Sequence, residues 1–374
     1  MKRTAIIVLL ACLLVGGTTG CIRAKAGARC RTTEWGDDGR FVLQCKAGRW
    51  RRVMTRQQAA AALVKVIEAS RKPGMGEVVR PSSFRSPQLP NMADPAVFVE
   101  NGTSYVYGTS NFRHVPVVPL TDVEHEYTQN EMFSMTKDAM PDRPAWASSS
   151  EIWAPAVAKI GGRYVMFFAA HRSNPVLPHQ DQCVGRAIAG SPLGPFVPDP
   201  GPVTCGNDGV HGALDPSVFT APDGNAYLLV AMAGSATNIW SIPLNANADL
   251  AGPASGMVVM NQPWQDWFLE NPAMIWDGTN YLLAYSVGHW DSESYRTGIA
   301  RCATPTGPCT DRSDGPWLSS AGGREGPGGL EFFLGSDGVA RVVFHSYAAG
   351  DIGTIGKRST HIMQFHTDPW PRIS

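Results

Sequence analysis

Three carboxylates occupy matching sequence settings: Asp94 in ADPAVF, Asp215 in LDPSVF and Glu270 in LENPAM. Each is followed by proline, directly or after one residue, then by a short apolar run and a turn. Paired carboxylates suit hydrolysis of an acetal bond between sugars. A protonated carboxyl hands its proton to the leaving oxygen while an ionised one activates water on the opposite face, the two held about 6.5–9.5 Å apart. A third carboxylate nearby adjusts the acidity and rotamer of the acid through charge and hydrogen bonding. Spacing alone does not say which acid has which role.

Residues so far apart in sequence meet only if the chain delivers them to one centre, and a structural repeat does that. The acid-Pro strings align with IWAPAV around Ala154 and EGPGGLEFF around Gly326, giving five units that begin near Asp94, Ala154, Asp215, Glu270 and Gly326. Each unit continues through a turn into an apolar strand: NGTSYVYGTS, GGRYVMFFAA, DGNAYLLVAM, DGTNYLLAYS and DGVARVVFHS. The NG, GG and DG pairs are hairpin turns, and the runs that follow read as sheet-packed strands. Five units of roughly four short strands predict an all-β fold, a five-bladed β-propeller, with innermost strands facing a central channel. The acids at the unit starts then point to one pocket.

The remaining composition agrees. The chain has 374 residues, 43% apolar and 17% charged, enough to bury a large core. Lys+Arg and Asp+Glu both number 32, so no polyanion is implied and nucleic acid is excluded as a partner, whereas a neutral glycan is compatible. Gly (39) and Pro (29) suit a protein dense in turns. Lys2 and Arg3 precede an apolar run from Ala5 to Val15 and small residues up to Cys21, which reads as a lipoprotein-type signal peptide over 1–20. That run falls short of the roughly 20 residues of a spanning helix. Cys21 is then a lipid anchor, and the protein is expected to be exported and held at a membrane face. Setting aside Cys12 and Cys21 leaves six cysteines, for which fifteen connectivities exist. Sequence-local pairing, Cys30–Cys45, Cys183–Cys205 and Cys302–Cys309, is the simplest expectation in an oxidising envelope. No CxxC or HExxH spacing suggests zinc. Residues 21–54 read as a small disulfide-closed hairpin module and 55–90 as one helix (TRQQAAAALVKVIEASRK) with a Pro/Ser-rich linker. The propeller fills 91–374.

NMADPAVF, IWAPAV, GRAIAGSPLGPF, LDPSVF, LENPAMIWDGTNYLLAYS and GKRSTHIMQF together resemble glycoside hydrolase family 43 over residues 88–374. These are five-bladed propellers acting largely on arabinose- and xylose-containing glycans. The resemblance implies Asp94 as general base, Asp215 as pKa modulator and orienter, and Glu270 as general acid, in a single displacement with inversion. It implies no required cofactor. Three positions depart from the family text. Ala156 stands where an acid is common, with Glu151 a possible substitute; Gly329 replaces the histidine of GPGH in arabinan-cleaving members, which puts a central calcium in doubt; and Asn271 sets an amide beside the acid. Trp153, His171, His289, His345 and Glu151 are the expected sugar contacts, followed by His211, Trp146, Trp290, Arg296 and Arg358, since an aromatic face stacks on the apolar face of a sugar ring. The expected partners are a glycan substrate and the membrane, and the expected state is a monomer. Two alternatives are a non-catalytic wall-binding propeller and a retaining fructan-cleaving propeller. The latter would carry an NDPNG-like start and an RDP motif, where this chain has ADPAV and LDP.

Overall fold

The structure is a computed structural model, and it describes residues 22–31, 35–38, 40–55, 84–173, 181–206, 212–232, 239–257, 262–265, 268–311, 313–367 and 370–374. The expected signal peptide, Cys21, the helix expected from residue 55 and most of the linker lie outside the described residues. Contacts divide the chain into two units, Met1–Met75 and Gly76–Ser374. The first contains a four-stranded sheet in which Phe41–Lys46 and Arg49–Thr55 form a hairpin, flanked by the short strands Trp35–Asp37 and Ile22–Arg23. Val42, Leu43 and Trp50 are its buried residues, and a disulfide joins Cys30 to Cys45.

The second unit is a five-bladed β-propeller of four-stranded sheets. Blade one comprises Ala96–Glu100, Thr103–Tyr107, Pro116–Leu120 and Lys137–Asp138; blade two comprises Trp153–Ile160, Arg163–His171, Gln182–Ala189 and Val197–Pro198. Blade three comprises Ala213–Thr220, Ala226–Met232, Ile239–Leu244 and Ser255–Gly256, and blade four Leu269–Trp276, Tyr281–Val287, Arg296–Cys302 and Cys309–Thr310. Blade five comprises Arg324–Leu334, Ala340–Ala348, Ser359–His366 and Arg372–Ile373. Asn101 and Gly102 both take positive φ, 51° and 81°, as the NG turn of blade one requires. Disulfides link Cys183 to Cys205 in blade two and Cys302 to Cys309 across the outer strands of blade four.

The second strands of blades two to five are largely apolar without strict alternation because neighbouring blades cover both of their faces. In Tyr281–Val287, Leu282 and Ala284 pack with Val342 and Phe344 of blade five, while Leu283, Tyr285 and Val287 pack with Leu229 and Ala231 of blade three. Five such clusters, one between each pair of adjacent blades, form the core. Truncating one of these side chains to alanine costs about 2–5 kcal/mol. The ring is fastened where residues before blade one pair with blade five. Thr360 N–H donates to the Leu89 carbonyl at 2.8 Å, and Met92 N–H donates to that of Arg358 at 3.0 Å.

Candidate active site

The proline of each repeat sets the backbone that aims the acids. The residue before it has left-handed φ in all five blades: Asp94 48°, Ala154 42°, Asp215 50°, Asn271 46° and Gly326 59°. Proline lacks a ladder donor and disfavours the right-handed helical region for the residue before it. The register slips at these positions in blades two to five, and a bulge of this kind re-aims side chains. Asp94 and Asp215 thereby turn into a cleft at one end of the channel. In blade four the turned residue is Asn271, and the acid, Glu270, comes one position earlier. That offset is why LENPAM carries a residue between acid and proline. The three carboxylates are therefore not equivalent.

The cleft has a volume of about 460 Å³ and is lined by Asp94, Asp215 and Glu270 with Thr109, Glu151, Trp153, Gln182, Phe268, Trp290 and Arg358. Asp94 Oδ2 accepts from Thr109 Oγ1 at 2.5 Å, and Arg358 Nη1 donates to Oδ1 at 3.1 Å. Burial pushes this carboxyl up, but the Arg358 charge and the Thr109 hydroxyl more than offset it and hold Asp94 below the ordinary aspartate value. The Arg358 guanidinium also lies over the Trp290 ring, 4.7 Å from its centroid. Behind the acid, Asp94 N–H donates to His345 Nδ1 at 3.1 Å. His345 is wholly buried, and burial with the nearby Arg358 charge lowers its pKa to about 3, so the ring is neutral and able to accept.

The other two acids are pushed the opposite way. Glu270 is 7% exposed, and burial raises its pKa to about 7; a hydrogen bond from Tyr295 opposes that rise and the Asp94 charge adds to it. Asp215 is raised by burial, then by the charges of Glu270 and Asp94, although Asn271 N–H donates to its Oδ2 at 3.1 Å. Near neutral pH the cleft thus holds an ionised Asp94 facing a pair that retains a proton. Environments that separate carboxyl acidities in this manner distinguish a base from an acid.

Tyr295 bears on the Glu270 proton through a hydrogen bond that favours the ionised carboxylate. Its hydroxyl lies 2.6 Å from both Glu270 Oε1 and Asn271 Oδ1, yet it has one proton to give. When Glu270 is protonated, it donates to the Tyr295 oxygen while Tyr295 donates to Asn271. When Glu270 ionises, the Tyr295 proton turns to the carboxylate. The ring stacks parallel to His345 with centroids 6.1 Å apart. Gly328 and Gly329 make room for this stack: a Cβ at 328 runs into Tyr295, and one at 329 comes within 2.7 Å of His345 Cε1. Gly329 is therefore a packing requirement of His345. Among the described residues, no group of three or more His, Cys, Asp or Glu side chains is placed to hold a metal ion.

Of the residues expected from sequence, Asp94, Asp215, Glu270, Glu151, Trp153, Trp290 and Arg358 meet in the cleft. His345 does not face sugar; its burial corrects that expectation and leaves it acting through Asp94. His171 meets the Trp153 ring edge-on, with centroids 4.6 Å apart, and its Nδ1 is 2.9 Å from Asp181. Neither His171 nor the exposed His289 lines the cleft. Trp146 stacks on Phe168 in the core between blades one and two, Arg296 donates to the Trp264 carbonyl, and His211 lies outside the described residues. Ala156 is buried opposite Phe167 in its sheet. The reading from sequence did not find Thr109, Gln182, Phe268 or Tyr295. For Thr109 the signal was present, a polar residue in GTS immediately after an apolar inner strand.

A five-bladed ring that brings three carboxylates of unequal acidity to one cleft defines a propeller with an acid/base centre. Residues 84–371 match the model of glycosyl hydrolases family 43, and the chain belongs to that family. It is similar to xylosidase/arabinosidase 43A of Humicola insolens, 29% identical over 151 residues that cover 36% of this chain and 42% of that protein. An extracellular endo-alpha-(1->5)-L-arabinanase of Thermotoga petrophila is 25% identical over 247 residues, 58% of this chain and 50% of the relative. The chain thus spans half or less of the length of these two curated relatives. A solved thermostable family-43 glycoside hydrolase shares the fold, with a TM-score of 0.66 at 22% identity over 78% of this chain and 96% of the other.

Proposed function

We propose that the protein hydrolyses glycosidic bonds in arabinose- or xylose-containing poly- or oligosaccharides with inversion at the anomeric carbon. The observation that carries this reading is the divided acidity of one cleft, Asp94 held low by Arg358 and Thr109 while burial lifts Glu270 to about 7. Water beside Asp94 gives the carboxylate a proton as its oxygen bonds to the anomeric carbon. The bond to the leaving oxygen breaks on the opposite face, and that oxygen takes the proton of Glu270. Asp215 takes the modulating and orienting role: its charge and that of Glu270 oppose one another, and it accepts from Asn271 N–H directly beside the acid. Trp153, Phe268 and Trp290 offer the apolar faces on which a sugar ring stacks, and Glu151 accepts from its hydroxyls. The pentose assignment draws on the relatives named arabinanase and xylosidase.

The same proposal places the protein outside the cytoplasm as a lipoprotein anchored through Cys21. The basic-apolar-small N-terminus favours it, as do three disulfides, which persist in oxidising compartments. The proposed active form is a monomer. Incubating the mature protein with arabinans, xylans and nitrophenyl pentosides, beside Glu270→Gln and Asp94→Asn, tests the chemistry. On unactivated substrates each variant is expected to lose on the order of 10²–10⁴-fold in kcat, and NMR of the fresh product should show the inverted anomer. Equal release by all three proteins refutes the roles, and no release from any glycan leaves the wall-binding alternative. Metabolic labelling with an alkynyl palmitate should mark the full chain and spare Cys21→Ser.

A further inference from the structure

We infer that the glycan track continues out of the catalytic cleft into a groove on blade one, where Phe112 and Phe133 hold further residues of the same neutral polysaccharide chain. The inference rests on the hydrolase reading for the identity of the occupant.

The two phenyl groups are out of place by ordinary rules. Phe133 is 63% exposed on the helix Gln129–Met135, whose Met132 is buried and whose Gln129, Asn130, Glu131 and Ser134 are polar and exposed. Phe112 is 73% exposed on the loop that leaves Thr109 and Ser110. Both line one groove with Asn91, Asn111, Arg113 and Gln129. Clustered exposed apolar surface rimmed by polar groups marks a binding site. The groove adjoins the catalytic centre: a small cavity shares Asn91 and Asn111 with it, and Thr109, Ser110, Trp290, Ile355 and Arg358 with the cleft.

The lining chemistry selects the occupant. Among the described residues, no carboxylate lines the groove or the neighbouring cavity. Among the described residues, the side-chain amides of Asn91 and Gln129 have no hydrogen-bond partner, so both are available to hydroxyls. The Asn111 amide is already fixed, donating to the Asn91 carbonyl and accepting from Arg113 N–H, each at 3.2 Å. Phenyl faces for the apolar side of a sugar ring and amides for its hydroxyls, on a path from the cleft, fit a polymer longer than the cleft alone holds.

The test uses the full mature chain. With Glu270→Gln as the non-hydrolysing background, affinity electrophoresis in linear arabinan, arabinoxylan and xylan measures retention with and without Phe112→Ala and Phe133→Ala together. Loss of two anchors predicts about tenfold weaker retention, with recovery in the Phe→Tyr pair. In the hydrolysing protein the ratio of kcat/KM on polymer to that on a nitrophenyl pentoside should fall by a similar factor. Thermal melts confirm that the variants fold. Unchanged retention and an unchanged ratio overturn the inference. So does a concentration-dependent dimer that the alanine pair abolishes while polymer retention persists, because the groove would then seat a second copy. If no polymer is retained but the pentoside is cleaved, the groove inference falls and the hydrolase reading stands. If retention depends on the two phenylalanines but nothing is cleaved, the reverse holds.

Discussion

Replacing Tyr295 with phenylalanine removes one oxygen and leaves the ring free to keep its stack on His345, 6.1 Å away. What disappears is the 2.6 Å hydrogen bond to Glu270 Oε1, which in the ionised state of Glu270 is donated by tyrosine to a carboxylate. Such a bond to a charged group contributes about 1.5–3 kcal/mol. The protonated acid loses its own bond to tyrosine as well, about 0.5–1.5 kcal/mol, so the difference of about 1 kcal/mol, at about 1.36 kcal/mol per unit, should raise the Glu270 pKa by about one unit beyond its present value near 7. Glu270 acts protonated, so activity is lost as pH rises through that pKa, and a higher pKa moves the basic limb of the kcat/KM profile to higher pH. The acidic limb, which belongs to Asp94, should stay in place. A less fixed Glu270 rotamer should also lower plateau kcat, by about tenfold. The substrate must be an unactivated pentose oligosaccharide followed by product sugar, since a nitrophenolate departs with little help from an acid. A basic limb that stays still, or moves to lower pH, refutes the assignment of Glu270 as the acid and of Tyr295 as the group that tunes it.

Arg358→Met should let burial raise the Asp94 carboxyl, because Arg358 is the leading influence holding it down. The base works ionised, so the acidic limb should move to higher pH and kcat/KM should fall about a hundredfold; an unmoved limb counts against the pairing. Glu331, on the channel wall, is lifted by burial from 4.5 to about 7, with Ser217 Oγ donating to it at 2.8 Å. Between those values the native state binds the extra proton, so native stability falls as pH rises across that window. Glu331→Gln should melt above the unchanged protein at pH 8, with the gap closing at and below the unfolded value; a gap independent of pH contradicts this. Gly329→Ala sets a Cβ at φ +60° and 2.7 Å from His345 Cε1. A left-handed alanine alone costs about 1–2 kcal/mol, so a clear fall in Tm is expected, and an unchanged Tm removes the packing explanation for GPGG.

The blades were legible because local chemistry repeats. NG, GG and DG turns, the proline at each inner strand and the largely apolar second strands are all set by neighbours in sequence, and all five recur. The acids were legible for the same reason, since each precedes its proline. What the repeat concealed is that Glu270 lies one residue before the left-handed position that Asp94 and Asp215 occupy, because only backbone geometry shows Asn271 to be their counterpart. Tyr295 was harder still, and Arg358, though named as a candidate contact, gave no sign of its pairing with Asp94. Tyr295 sits in GHWDSESYR, a segment without hydrophobic period, and reaches Glu270 only through the packing of blade five. His345 looked like a sugar contact because VVFHSY places it in the inner part of the last blade; its neighbours bury it instead.

The order in which the centre is made follows from its place at the seam of the ring. Asp94 comes from the first blade, but the cation that holds it ionised is Arg358, and the ring that accepts its amide is His345, both from the last. On the ribosome, Asp94, Asp215 and Glu270 all emerge before either partner. Until Met92 and Leu89 engage the strand at Arg358 and Thr360, three acids have no arginine among them and the base is undefined. In the proposed mechanism, a chain cut short before Arg358 keeps all three carboxylates but lacks the cation that holds Asp94 ionised.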